Sequence, residues 1–104
     1  MSAADLLKKL PAAFNAAAAA GTTATIQFNC STPMYTTIKD GTCTVSDGQS
    51  GNADVTITME DEDLVALMKG ELNGMTAFMT GKLQIDGDLM LAQRMASFFD
   101  AGKL

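Results

Sequence analysis

Two groups of acidic residues are the side chains whose types and spacing could support chemistry. Glu60 to Asp63 form a run of four carboxylates, and Asp86 and Asp88 flank Gly87. A calcium loop needs oxygens at alternating positions around a glycine turn, and an acid–base pair needs carboxyl groups whose pKa values burial has separated. Neither cluster offers such a frame. We therefore interpret the run as the beginning of a helix and the pair as the source of an N-cap, from Asp88 or Asp86.

Histidine and cysteine, which serve most often as catalytic bases, nucleophiles and zinc ligands, are scarce in this chain. It has no histidine, which is the commonest base for a serine or cysteine nucleophile, so we do not expect an enzyme. Cys30 and Cys43 are too few ligands for zinc, and because residues 1–10 show no secretion signal we expect reduced, buried thiols rather than a disulfide. The glycines of GKLQIDG, residues 81–87, flank a strand, whereas a phosphate loop opens a helix. We expect neither a metal nor a cofactor.

Length and charge narrow the class of protein. The 104 residues, 47% apolar and 18% charged, fit one globular domain over residues 1–104. A net charge of -5 without a basic cluster argues against nucleic acid as a partner and against electrostatic adsorption to an anionic membrane. No apolar run approaches the ~18 residues of a membrane span.

The periodicity of apolar residues changes along the chain. The first twenty residues have helical spacing, which Pro11 divides into two short helices, and the alanines at 16–20 continue the second helix until Gly21. The apolar face of these helices consists of Leu6, Leu7, Leu10, Phe14 and Ala17. Alternation then predicts strands at 23–30, 34–39 and 42–46, with Asp40-Gly41 as a two-residue hairpin turn. Residues 47–52 form a loop.

Two further strands and three helices complete the predicted order. The inward residues of the strands are Ala24, Ile26, Phe28 and Cys30, then Val55, Ile57 and Met59, then Leu83 and Ile85. Helices are predicted at about 60–70, 73–79 and 88–100, and the last one buries Leu91, Ala92, Met95, Phe98 and Phe99. The fold class is α+β, a five-stranded and mainly antiparallel sheet with helices covering one face.

Methionine is concentrated in the second half of the chain, and its role has two interpretations. Met59, Met68, Met75, Met79, Met90 and Met95 form either a soft core or the wall of an apolar cavity. Apolar residues at helical spacing are more often core. The last two helices, however, carry more bulky apolar residues than one sheet face requires, and the piece between Gly74 and Gly81 is short enough to act as a movable lid.

Several segments together resemble one family. ADVTITMEDEDLVALMKGELN, AFMTGKLQIDGD and LAQRM, with PAAFN at 11–15, ATIQF at 24–28 and IKDG at 38–41, are similar to the sterol carrier protein type 2 domain family in its short, stand-alone form. The resemblance covers about residues 5–99. It implies an apolar tunnel between sheet and helices and non-catalytic binding or transfer of a fatty acid, fatty acyl-CoA, sterol or similar lipid.

The resemblance also implies a set of lipid-binding residues. The helical lining comprises Met68, Met75, Phe78, Met79, Leu91, Met95, Phe98 and Phe99, and the sheet-side floor comprises Phe28, Ile57 and Ile85. Gly81 and Gly87 would serve backbone geometry. Residues 30–35 replace a glycine-rich turn and a Trp that related sequences often have, so the tunnel mouth is expected to differ.

The expected partner is a small apolar lipid. A transient contact with a membrane or a lipid-metabolising enzyme stays open, and so does the alternative of an accessory module for a lipid- or quinone-metabolising enzyme. The oligomeric state is not predicted. The terminal Gly-Lys-Leu only approximates the Ser-Lys-Leu peroxisomal address, so we expect the cytoplasm, with the peroxisome as the alternative.

Overall fold

Five strands form one sheet in this protein. The computed structural model describes residues 3–104, except for the side chains of Ala96 and Ala101. Met1 and Ser2, which belong to the segment in which no secretion signal is expected and to the single predicted domain, lie outside the described residues. The strands are β1 (Ala24–Asn29), β2 (Met34–Lys39), β3 (Thr42–Asp47), β4 (Val55–Thr58) and β5 (Gln84–Gly87). The helices are α1 (Ala3–Leu7), α2 (Leu10–Ala13), α3 (Asp61–Met68), α4 (Gly74–Met79) and α5 (Leu89–Phe98), followed by a 3₁₀ turn, Ala101–Lys103.

The strand order is β3-β2-β1-β4-β5, and the predicted α+β class is confirmed. β1 pairs with β4 in parallel, while the other neighbouring pairs are antiparallel. The β2–β3 hairpin turns at Asp40-Gly41, and both residues have positive φ angles, 52° and 75°. A type I′ turn requires positive φ at both central residues, which explains why this dipeptide joins the two strands.

One face of the sheet is apolar and the other is polar. Residues that pair across neighbouring strands share a face, so the register identifies the members of the apolar face. These are Ala24, Ile26, Phe28, Met34, Thr36, Ile38, Cys43, Val45, Val55, Ile57 and Ile85. Helices α2 and α5 contact the sheet, and α1 packs against α3. The core therefore lies between this face and the helices.

Gln27 is a buried polar side chain on the opposite face. Its amide nitrogen donates to the carbonyls of Met34 and Gly48 at 3.1 and 3.0 Å, and its amide oxygen accepts from the Ser50 amide at 2.8 Å. These bonds hold the loop after β3 over the middle of β1. Burial of a polar group is tolerated here because its hydrogen-bonding capacity is used.

The predicted helix over the alanines at 16–20 is wrong. After α2 the chain extends, Phe14 forms a β-bridge with Phe99, and residues 16–21 form turns. The Asn15 amide donates to the Phe98 carbonyl at 2.7 Å, and the Asn15 side chain accepts from the Ala18 amide at 3.2 Å. Tertiary pairing thus overrides helix propensity, because a run of alanines has little apolar surface to secure a helix. Ala17 is exposed, whereas Leu6, Leu7 and Leu10 are buried as expected.

The two cysteines are free and half-buried. Cys43 lies on the apolar face, where burial raises its pKa to about 11. Cys30 lies just beyond β1 rather than inside it, and burial raises its pKa as well. A raised thiol pKa leaves little thiolate at neutral pH, so both groups are weak nucleophiles.

No helix within residues 3–104 is long and apolar enough to cross a membrane.

Candidate functional site

An apolar cavity of about 570 Å³ lies beside strands β4 and β5. Ile57, Ile85 and the neighbouring Leu83 line its sheet side. The end of α3, the α3–α4 connection and α4 form one wall, and α5 with Phe99 forms the other. The lining from these helical segments consists of Leu67, Met68, Gly70, Leu72, Gly74, Met75, Phe78, Leu89, Ala92, Gln93, Met95 and Phe99.

The beginning of α5 is fixed by two hydrogen bonds of Asp88 and by a close backbone approach at Gly87. The Asp88 carboxylate accepts from the Leu91 amide at 3.0 Å, and the Asp88 amide donates to the Asp54 carbonyl at 2.9 Å. Gly87 has a φ of +112°, and a Cβ there would lie 2.5 Å from the Asp54 carbonyl oxygen. Only glycine permits this approach. Asp88 is thus the N-cap, while Asp86 pairs with Thr56 in the sheet.

The end of α5 is anchored to the N-terminal segment. The Asp100 amide donates to the Ala13 carbonyl at 2.8 Å, and the rings of Phe14 and Phe99 lie with centroids 5.9 Å apart. Arg94 stacks over Phe98 and donates to the Thr22 hydroxyl at 3.1 Å. Both ends of this wall are therefore tied to other parts of the fold.

The opposite wall is held less firmly. Asn73 caps α4, its side chain accepting from the amides of Met75 and Thr76 at 2.9 and 3.1 Å. Of the residues in α4, Ala77 alone is buried, while Met75 and Phe78 reach both the cavity and the surface. Because little apolar surface of α4 is covered, few contacts oppose its displacement.

The structure brings most of the predicted lipid-binding residues to one cavity. Those in the lining are Ile57, Met68, Met75, Phe78, Ile85, Met95 and Phe99. Phe28 and Phe98 are fully buried in the core, and Leu91 is buried outside the lining. The Met79 side chain is 78% exposed and also lies outside the lining. The sequence predicts inward positions for Phe28, Leu91 and Phe98, and the structure buries all three, whereas Met79, which the resemblance implied as lining, is exposed to solvent.

Sequence reasoning missed several lining residues. Leu67, Leu72, Leu83, Leu89, Ala92 and Gln93 line the cavity. The sequence predicts that Leu83 and Ala92 pack inward, but periodicity does not distinguish a residue that lines a cavity from one that packs in the core. Leu72 lies in the α3–α4 connection, where no periodicity distinguishes inward from outward positions.

The methionines divide between core, cavity and surface. Met59 is buried in the core, Met68 and Met95 are buried at the cavity, and Met75 lines it while partly exposed. Met79 and Met90 are exposed outside the lining. The two interpretations of the methionines therefore apply to different residues.

The cavity offers apolar contact and little polar chemistry. Gln93 is the one polar side chain among its described lining residues, and none of that lining is charged. A cavity of this kind suits an apolar ligand, which gains free energy by leaving water. It provides no acid, base or anion-binding group to act on such a ligand.

A second, polar cleft of about 510 Å³ lies near the beginning of α3. Glu60, Asp63 and Lys82 contribute its charged side chains. Asp61 points elsewhere: its carboxylate accepts from the amide and hydroxyl of Ser31 at 2.8 and 2.6 Å. The acidic run thus starts a helix and ties it to the β1–β2 loop. Within residues 3–104 no group of three or more His, Cys, Asp or Glu is placed to hold a metal ion.

Comparison with known proteins connects this architecture to a family. The model of the SCP-2 sterol transfer family matches residues 4–100. Sterol carrier protein 2 of Bos taurus is 47% identical over 58 residues, which are 56% of this chain and 11% of that relative. The oleate-induced peroxisomal protein POX18 of Candida maltosa is 38% identical over 61 residues, 59% of this chain and 48% of the relative. This chain thus corresponds to only part of each relative's length.

Solved structures share the fold at low sequence identity. A sec-alkylsulfatase from Pseudomonas sp. matches with a TM-score of 0.84 and 21% identity over 91% of this chain and 16% of its own. Palmitated SCP2L2 from Aedes aegypti matches with a TM-score of 0.73 and 24% identity over 93% of each chain. The family model covers nearly the whole chain, and the fold agrees with it. The chain belongs to the SCP-2 sterol transfer family.

Proposed function

We propose that this chain is a single, non-catalytic lipid-binding and transfer domain that holds one apolar lipid in the cavity beside β4 and β5. The cavity, with its apolar lining and single polar side chain, Gln93, is the observation that carries the proposal. Family membership supports the ligand class, and the palmitated relative from Aedes aegypti supports a fatty acid as a member of that class.

The physical basis is transfer of hydrocarbon out of water. Each buried CH₂ contributes roughly 0.8 kcal/mol, so a long acyl chain offers on the order of 10 kcal/mol before costs. Association and ordering remove a large share, and binding in the micromolar range remains. Met68, Met75 and Met95 can adapt to ligands of different shape because their side chains are unbranched and flexible.

We infer that entry of a long chain displaces one wall of the cavity. We assign this motion to α4 rather than α5, because α5 is capped by Asp88 and anchored through Asp100 and Phe14. α4 buries Ala77 and is flanked by Gly70 and Gly81, whose φ angles are 79° and 81°. Displacing it would expose the lining without breaking the sheet.

Native mass spectrometry of the gently purified protein, followed by displacement of a fluorescent fatty acid, tests the proposal. A bound mass in the range of a fatty acid, acyl-CoA or isoprenoid is expected. Ala92→Phe, which fills the cavity from α5, should abolish uptake, whereas Ala12→Phe on the exposed side of α2 should not. Unchanged uptake in Ala92→Phe would place the lipid elsewhere.

The other functional classes have distinct outcomes in the same experiment. A strictly ligand-free protein that copurifies with an enzyme of lipid or quinone metabolism would indicate the accessory module. Turnover of an acyl-CoA or ester would indicate an enzyme.

For localisation we propose the cytoplasm. The alternative is the peroxisome, which the name of the Candida maltosa relative supports. Imaging of a fluorescent fusion with an unmodified C-terminus separates these two.

A further inference from the structure

Five large apolar side chains are exposed in the described part of the chain, and all belong to α4 or the beginning of α5. Their exposed fractions are 61% for Met75, 46% for Phe78, 78% for Met79, 46% for Leu89 and 72% for Met90. Met75, Phe78 and Leu89 also line the apolar cavity. Met79 follows Met75 by one helical turn, and Met90 adjoins Leu89. We call these five residues the rim patch.

The position and charge of the rim patch restrict what it can contact. α4 and residues 89–93 contain no charged residue, although the chain has a net charge of -5. The flanking charges are mixed, with Lys69, Lys82 and Arg94 against Glu71, Asp86 and Asp88. This arrangement offers no basic cluster for anionic headgroups and no single-sign surface for a charged protein partner.

The size of the rim patch argues against a second copy of the chain. With about 200 Å² for each side chain when fully exposed, the patch presents about 600 Å². A stable protein interface buries about 800 Å² on each partner, usually around well-packed anchors. A smaller surface rich in flexible methionine suits a fluid apolar phase, which needs no fixed complementarity.

We infer that the rim patch docks the protein on an electrically neutral phospholipid bilayer, so that the cavity opens into the lipid phase. This inference rests on the proposed function. The bilayer covers the cavity mouth while α4 moves, and the ligand passes between two apolar environments without its CH₂ groups crossing water. Each CH₂ kept out of water lowers the free-energy cost of transfer.

Flotation with phosphatidylcholine vesicles and transfer of a fluorescent fatty acid between such vesicles test the docking surface. The double variant Met79→Gln, Met90→Gln keeps side-chain length and leaves the cavity lining intact. It should lower the bound fraction and the transfer rate about tenfold, with ligand affinity in solution unchanged. Thr44→Gln, exposed on the polar face of the sheet, is the control and should match the wild type. Wild-type binding should not fall as salt is raised.

The outcomes separate this inference from the proposed function. Fatty acid uptake without vesicle binding would overturn the docking surface alone, as would binding that requires anionic lipid or that survives in the double variant. A concentration-dependent dimer that the double variant abolishes would overturn it in favour of a second copy. Vesicle binding without any lipid uptake would support the docking surface while refuting the proposed function.

Discussion

At the scale of single residues, the Thr36 hydroxyl is a polar group inside the apolar core. The side chain is fully buried on the apolar face of β2, opposite Ile26 and Val45, and its hydroxyl has no hydrogen-bond partner among the described residues. A buried polar group without a partner loses its hydration without compensation. Thr36→Val removes that group while keeping the branched shape.

Thr36→Val should raise the free energy of unfolding by about 1 kcal/mol, because the desolvation cost disappears. Urea denaturation followed by circular dichroism measures it. Thr37→Val is the matched control, since Thr37 is half-buried on the polar face of the same strand and should change stability little. A destabilised Thr36→Val would mean that the hydroxyl finds a hydrogen-bond partner in solution.

At the scale of elements, one carboxylate joins α3 to the β1–β2 loop. The side-chain hydroxyl and the amide of Ser31 donate to Asp61 and lower its pKa from the ordinary value of 3.8. The pKa of Asp61 is lower in the folded state than in the unfolded state. Its contribution to the free energy of unfolding is therefore complete above the unfolded-state pKa and is lost as pH falls through the folded-state pKa.

Asp61→Asn should therefore lower the free energy of unfolding by about 1 kcal/mol at neutral pH, a modest loss because the site is solvent-accessible. The difference in the free energy of unfolding between the wild type and the variant should become smaller as pH falls below 3.8. Denaturation at a series of pH values checks both statements. Asp63→Asn removes the same charge from the same helical turn and leaves the Ser31 contacts in place. A difference that does not depend on pH would contradict this account.

The two helices that border the cavity should differ in local stability. α4 buries Ala77, whereas α5 buries Leu91, Met95 and Phe98 and is fastened at both ends. Hydrogen exchange should therefore be faster in α4, and a bound fatty acid should slow exchange there more than in α5.

Removal of each helix cap provides a matched test of that difference. Asn73→Ala removes two hydrogen bonds from the beginning of α4 and should speed both its exchange and ligand release, at a cost of about 1 kcal/mol. Asp88→Ala removes the equivalent cap from α5 and should leave release largely unchanged. Faster release in the α5 variant would identify α5 as the moving wall.

At the scale of the whole molecule, a ligand held only by the folded state must stabilise the fold. A fatty acid at a hundredfold excess over its Kd should add about 2.7 kcal/mol to the free energy of unfolding and raise Tm. Thermal unfolding with and without the fatty acid measures this. Ala92→Phe should unfold cooperatively and show no shift, while Ala12→Phe should shift as the wild type does. Absence of a shift in the wild type would contradict lipid binding in the cavity.

The sequence by itself determined the elements and the family. Alternation in ATIQF and in residues 34–39, the turn dipeptide Asp40-Gly41, and the glycines after α3 and α4 are local signals, because strand, turn and helix end depend on nearest neighbours. Most predicted boundaries agree with the structure within one or two residues. The alanine run did not become a helix, because the Phe14–Phe99 bridge, a contact between chain ends, directs the backbone there.

Only the tertiary structure decided which apolar side chains face a cavity and which face one another. Phe28 and Ile57 lie on the same face of the sheet, and Met95 and Phe98 lie on the same helix, α5. Phe28 and Phe98 are packed in the core, whereas Ile57 and Met95 line the cavity. Leu72 enters the lining from a connection without periodicity. The physical reason is that periodicity specifies the direction of a side chain, while a cavity is the space that separated elements leave uncovered. That separation depends on how α5 is anchored beside the sheet, through the Asp88 amide and the Asp54 carbonyl, and on how little of α4 is packed against its neighbours.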